Sequence, residues 1–213
     1  MTVVLVGSVE AALQLALRSG ALLTARERKR CDGYRNAQAS SLFVAAHLLA
    51  RVSLSEVSGW APGSFKLIQR CHSCGGPHGR PIAVGPCPVS VSLAHAGRYV
   101  AVAAAPGRGP VGIDIEPLSP QVRQRMNTVS SRVLSRDEAS RLITACDPEA
   151  EFLRMWVRKE SLIKIGRGSL DEMPSLSAYP EEILEGPRLY DFHFGHYVGA
   201  VVSSSAPTYR HLV

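Results

Sequence analysis

Aromatic residues are scarce in this 213-residue chain: two Trp, six Tyr and five Phe. The apolar fraction of 46 % is still that of an ordinary globular protein, so a disordered or fibrous chain is excluded. No long uninterrupted apolar run is present. The first 23 residues come nearest, but Glu10 and Arg18 break them and no basic segment precedes them. That pattern fits neither a signal peptide nor a membrane span, and a cytosolic protein is expected. Cysteine is short of a framework too. The five residues Cys31, Cys71, Cys74, Cys87 and Cys146 are an odd number, and no export signal accompanies them, so disulfide scaffolding is not expected. Acidic residues are few in the first half. Up to Arg108 there are 12 Lys/Arg against 4 Asp/Glu, whereas from Gly109 onward there are 12 against 14. Also missing are an aromatic RNA-binding strand, a defensible helix-turn-helix pattern and basic heptads, which weakens a nucleic-acid reading of the basic half.

The chain is long enough to bury a full core, as one domain or two small ones. Thr2 to Gly7 is a β-branched run with the character of a strand. Glu10 to Arg18 has helical spacing and Gly20 ends it. Thr24-Ala25-Arg26-Glu27 and Ser135-Arg136-Asp137-Glu138 are capping boxes that each predict a helix start. Ser40 to Val52 predicts a strongly apolar helix in which His47 is a core histidine. Val89 to Ala105 predicts two strands about Ala96-Gly97-Arg98, and Ala105 to Pro110 reads as a linker. Asp147-Pro148 supplies a cap and a first-turn proline for a helix reaching Ile165, and Tyr190 to Ser204 is strand-like. His95-x-Gly97-x-Tyr99-Val100 recurs as His193-x-Gly195-x-Tyr197-Val198. Together with the central linker, this echo predicts an α+β pseudo-dimer. Its two similar halves, 1–107 and 108–213, would each hold an antiparallel sheet and a long helix, with a ligand cleft between them.

Two stretches carry chemistry. In Val111-Gly112-Ile113-Asp114-Ile115-Glu116-Pro117 the alternation predicts a short strand with Asp114 and Glu116 on one face. Such a pair is tolerable when solvated, when one acid is protonated, or when a cation lies between them. On the later helix Trp156, Glu160 and Lys164 follow at i, i+4 and i+8, so they share one face. An exposed Glu160–Lys164 pair is the bland alternative, but the apolar neighbours favour a cleft. A third feature is Cys71-x-x-Cys74, with His78 and Cys87 beyond it. It is either half of a zinc knuckle or a tight Gly/Pro loop whose backbone and Arg80 approach an anion.

Gly112-Ile113-Asp114-x-Glu116, followed some forty residues later by Trp156-x-x-Lys159-Glu160-Ser161-x-x-Lys164, resembles the signature pair of the Sfp-type 4′-phosphopantetheinyl transferases. Gly79-Arg80-Pro81 and Ser92-Leu93-Ala94-His95-Ala96-Gly97 resemble two further stretches of that family. The resemblance implies transfer of phosphopantetheine from coenzyme A to a serine of an apo acyl or peptidyl carrier protein. It implies Mg²⁺ held by Asp114, Glu116 and Glu160, with Glu160 able to take the serine proton. Lys164 and Lys159 would screen the leaving phosphate. His95, Arg28 and Arg35 would hold the 3′-phosphate, and Gly79, Arg80 and Pro81 would border the adenine. A monomer is expected, with carrier proteins and coenzyme A as partners and neither nucleic acid nor membrane. Carriers would dock on exposed apolar and basic surface near the cleft, including 117–136. The chain departs from the pattern at Ser40-Ser41, where an Arg-Thr pair is common, and at Ala94 and Ala96, which remove hydroxyls beside His95. It departs again at Val157, where a small residue is common. The serine-to-alanine changes at Ala94 and Ala96 motivate an alternative, a homologue that binds coenzyme A or a carrier without turnover. A zinc-knuckle nucleic-acid binder is a third reading.

Overall fold

The computed structural model describes residues 1–70, 75–76, 79–179 and 186–213. In the first half, β1 (Thr2–Ser8) leads into α1 (Val9–Arg18), α2 (Ala25–Asp32) and α3 (Ala37–Ser58). There follow β2 (Lys66–Gln69), β3 (Pro81–Val84), β4 (Val89–Ala96) and β5 (Tyr99–Pro106). The second half begins at β6 (Val111–Pro117). It continues through α4 (Val122–Val133), α5 (Arg136–Thr144), α6 (Pro148–Lys164), β7 (Arg188–Phe194), β8 (Tyr197–Ser203) and β9 (Pro207–Leu212). The expected α+β class is the one observed.

Two sheets dominate, in the orders β4-β5-β1-β9 and β6-β8-β7. They stack face to face, and the two-residue side-chain period decides which residues meet. Val4 and Val6 of β1, Ala101 and Ala103 of β5, and Ile113 and Ile115 of β6 form the layer between the sheets. The intervening residues Leu5, Val100, Val102 and Ala104 face the other way, into a core under α3. Val198, Ala200 and Val202 of β8 likewise face α6. Each large sheet therefore has one long helix on its outer face. Among the described helices α3 alone is long and apolar enough to cross a membrane, and most of it is buried here.

Local chemistry accounts for the element ends. Both capping boxes form as the sequence predicts: Thr24 and Ser135 each accept from the backbone three residues on, and Glu27 and Glu138 reach back. Asn36 caps α3 by accepting from Gln38 and Ala39, so that helix starts before Ser40 and runs on to Ser58. The strand-like stretch from Tyr190 is divided between two strands, because Gly195 adopts φ +56° and turns the chain. Gly97 does the same at φ +58°, giving two hairpins with Gly first in a two-residue turn. The echoed motifs are therefore hairpin turns, and their tips meet, with the Tyr99 and Tyr197 rings 4.5 Å apart. The last strand, β9, crosses back and pairs in parallel with β1, so the first sheet is completed by the end of the chain.

Candidate functional site

The site begins with a close approach of helix to strand. Gly112 faces α6, and a Cβ placed there would lie 2.1 Å from the Ser161 carbonyl oxygen. Only glycine lets the helix backbone come this close. Ser161 fastens the contact from the other side: its hydroxyl donates to Val157 O and to Ala200 O on β8, at 2.7 and 2.9 Å. Asp114 and Glu116 follow Gly112 on the same face of β6. Glu160 and Lys164 flank Ser161 on α6. The two motifs thus meet because Gly112 and Ser161 meet.

Lys164 turns across to the strand. Its ammonium donates to Asp114 Oδ1 at 2.8 Å and to Ile113 O at 2.7 Å. The bland i, i+4 pair with Glu160 is not the contact that forms. Arg125 of α4 takes Glu116, with both terminal nitrogens 3.0 Å from Oε1. No hydrogen bond or ion pair reaches the Glu160 carboxylate among the described residues, although it is half-buried. Burial pushes its carboxyl above the ordinary range, and the Asp114 and Glu116 charges add to the rise. Glu116 is raised as well, again by burial first and against the pull of Arg125. Among the described residues no three His, Cys, Asp or Glu side chains are gathered tightly enough to cage a metal ion. The donor chemistry nonetheless suits a hard divalent cation. Three carboxylates from two elements share a partly desolvated space, and their mutual repulsion is the strain that such an ion relieves.

A cavity of about 420 Å³ opens beside this cluster and joins the halves. Asp114 and Lys164 line it from the second half, and Arg30, Phe43, Gln69, Ala94 and His95 from the first. His95 is open to solvent, yet desolvation of its ring and the nearby Lys164 charge hold its pKa below the usual imidazole range. Arg30 lies over the Phe43 ring at 4.5 Å and donates to Gln69 Oε1 at 2.7 Å, so a fixed positive charge lines the same cavity as Asp114.

The other residues read from the sequence lie at varied distances from this cavity. Gly79, Arg80 and Pro81 line a separate cavity of about 890 Å³ with Arg70, Cys87 and Arg108. Gln69 links the two cavities, because its amide donates to Gly79 O at 3.0 Å. Arg28 is exposed and bonds to Leu23 O at 2.5 Å, and Arg35 is exposed at the head of α3; neither lines the 420 Å³ cavity. Lys159 requires a correction. It does not face the cleft but is fully buried on the far side of α6. There it donates to Glu138 Oε2, Val133 O and Met173 O at 2.5, 2.6 and 2.9 Å. A lysine one residue before Glu160 is rotated about 100° away on the helix, so the two cannot serve one face. Cys71, Cys74 and His78 of the possible zinc knuckle lie outside the described residues.

Three contacts escaped the sequence reading. Arg125 sits over the Trp156 ring at 3.9 Å as well as on Glu116. Glu27 serves beyond its capping box, taking His47 Nδ1 and Arg51 at 2.7 Å each beneath the cavity wall. Glu138 does likewise, accepting from Lys159 and from the Ala178 amide. The signal for the last two was a capping-box Glu whose helix is followed by a buried Lys or Arg, but the partner is set by tertiary packing.

Residues 110–189 match the family model of the 4′-phosphopantetheinyl transferase superfamily. The matched segment holds β6, α4, α5 and α6, and therefore the whole acidic cluster with Lys164 and Arg125. No curated protein matches the chain. The family match supports phosphopantetheine transfer in general.

Proposed function

We propose that the protein is an Sfp-type 4′-phosphopantetheinyl transferase. It moves the phosphopantetheine arm of coenzyme A to a serine of an apo acyl or peptidyl carrier protein and releases adenosine 3′,5′-bisphosphate. One observation carries the reading: Asp114 and Lys164, with the Glu116 and Glu160 charges close by, line a cavity that Arg30 and His95 also line. A pyrophosphate-bearing ligand needs that combination, with cations for its phosphates and carboxylates for a counter-ion. The Gly97 and Gly195 hairpins, meeting tip to tip, support reading the chain as duplicated halves with the ligand at their seam.

Asp114, Glu116 and Glu160 would hold Mg²⁺, which when bound neutralises pyrophosphate charge. The carrier serine oxygen bonds to the β-phosphorus while the bond from that phosphorus to the leaving phosphate breaks. Glu160 takes the serine proton. Of the three acids it is the one whose carboxylate holds no cation among the described residues, since Asp114 is paired with Lys164 and Glu116 with Arg125. Lys164 is anchored on the Ile113 carbonyl, and its ammonium steadies the charge that grows on the departing phosphate. His95 and Arg30 offer positive or donor groups to the rest of the nucleotide from the cavity side.

Incubation with coenzyme A, Mg²⁺ and a panel of apo carriers should add the phosphopantetheine mass to at least one carrier. Asp114→Ala should abolish the gain while leaving the circular dichroism spectrum intact. Transfer at the wild-type rate by Asp114→Ala rejects the role of the cluster. Coenzyme A binding without transfer across the panel would indicate the non-catalytic alternative.

A further inference from the structure

Arg125 belongs to neither motif, yet its guanidinium lies among the charges they bring together. It flanks the apolar face of α4 that packs towards α6 through Val122, Met126, Val129 and Val133. That packing aims the side chain at β6 and brings it onto Glu116 at 3.0 Å. The same guanidinium lies 3.9 Å from the centre of the Trp156 ring, one turn before Glu160. Three carboxylates and two fixed cations, Arg125 and Lys164, are therefore gathered between β6, α4 and α6.

We propose that Arg125 is a latch on the acidic cluster, neutralising Glu116 in the metal-free protein and giving it up when a divalent cation binds. The proposal rests on the reading of Asp114, Glu116 and Glu160 as a divalent-cation site. Glu116 Oε1 receives both guanidinium nitrogens, so one of its two oxygens is already committed. An arginine cannot resolve the conflict with an incoming cation by losing its proton. It must move, or weaken the cation's hold. Trp156 supplies the resting place, because a weakly hydrated guanidinium stays on an aromatic face after its carboxylate is withdrawn. Arg125 is thus a positioning residue that limits repulsion in the empty site, lowers divalent affinity, and ties the surroundings of Trp156 to occupancy.

The test uses the full chain in a Trp60→Phe background, which leaves Trp156 as the sole tryptophan. Mg²⁺ alone is titrated by calorimetry and by Trp156 emission. Arg125→Met should bind Mg²⁺ about three- to tenfold more tightly, the effect of removing one screened charge a few ångströms away, and its emission should no longer respond. Arg125→Lys retains the charge without the planar fork, so it should keep the parent affinity and lose most of the emission response. It also covers the case in which the methionine variant does not fold. Equal Mg²⁺ affinity in the parent and Arg125→Met, or a full emission response in Arg125→Lys, overturns the latch and leaves the metal site standing. No Mg²⁺ heat in the parent, as in Asp114→Ala, overturns the metal site and the latch with it.

Discussion

Replacing Gly112 by alanine sets a methyl group against a helix backbone, where no side-chain rotamer can relieve it. The new Cβ would lie 2.1 Å from Ser161 O and 3.0 Å from Ile165 Cγ2. Even a 3.0 Å contact requires the strand and helix to part by about 0.9 Å, and an ordinary one requires more. Moving α6 carries Glu160 and Lys164 away from Asp114. The Lys164 bonds to Asp114 and Ile113, now 2.8 and 2.7 Å, would stretch past hydrogen-bond length. The overpacking should cost about 1–3 kcal/mol, a fall in melting temperature of roughly 2–4 °C for each kcal/mol in a chain of this size. Misplacement of reacting groups by about 1 Å costs on the order of 10²-fold in rate. Single-turnover transfer to an apo carrier, read beside a thermal melt, measures both. Transfer at the wild-type rate with an unchanged melting temperature would refute the claim that this contact assembles the site.

Lys159→Met should lower stability by about 3–5 kcal/mol, because Glu138 is left buried without its cation. Denaturant midpoints measure that loss, whereas a coenzyme A contact at Lys159 would instead raise KM at constant stability. Glu160→Gln should abolish transfer and yet stabilise the fold at neutral pH. A carboxyl raised in the folded state stabilises below its unfolded pKa, and that benefit is lost as pH rises through the folded value. The gain over wild type, read by urea unfolding, should therefore vanish at acidic pH. Glu27 has the opposite sign. Burial alone would raise it, but bonds from His47 and Thr24 and the Arg51 charge outweigh burial and hold it at about 2 against an ordinary 4.5. About 3 kcal/mol of stability should be present above the ordinary value and disappear as pH falls towards 2. Glu27→Gln should remove that slope from an acid-denaturation series.

Much of the fold was legible because its periodicities are local. The alternation in 111–117 placed Ile113 and Ile115 inward and Asp114 and Glu116 together, and the structure buries the isoleucines while half-exposing the acids. Both capping boxes and the Asp147-Pro148 start could be read from adjacent residues. What escaped depends on distant packing. The ribbon of β2 and β3 is only four residues a strand, too short to show a period. Helix α4 lacks a capping side chain at Gln121, so nothing marks its start. Strand β9 pairs with β1 from the other end of the chain, a partnership no local pattern encodes. The site divides along the same line. The i, i+4 spacing correctly put Glu160 and Lys164 on one face, but adjacency in a motif did not put Lys159 there too. Arg125 came from a helix that was not foreseen.

The seam between the halves also explains why the acidic strand can work from the position it holds. Only residues 107–110 separate β5 from β6, and the Ile113 amide donates to Ser92 Oγ on β4 at 3.1 Å. That bond fixes β6 against the strand that carries His95, three residues beyond Ser92. Asp114 is the next residue after Ile113, so the acid cluster and His95 are set in one register by a contact between the two sheets. The Lys164 bond to Ile113 O then ties α6 to the same point from the opposite side. Three elements from both halves are therefore referenced to a single residue, Ile113, before any ligand arrives. A ligand bound beside Asp114 and His95 would meet groups already placed, and its binding energy need not be spent on bringing them together.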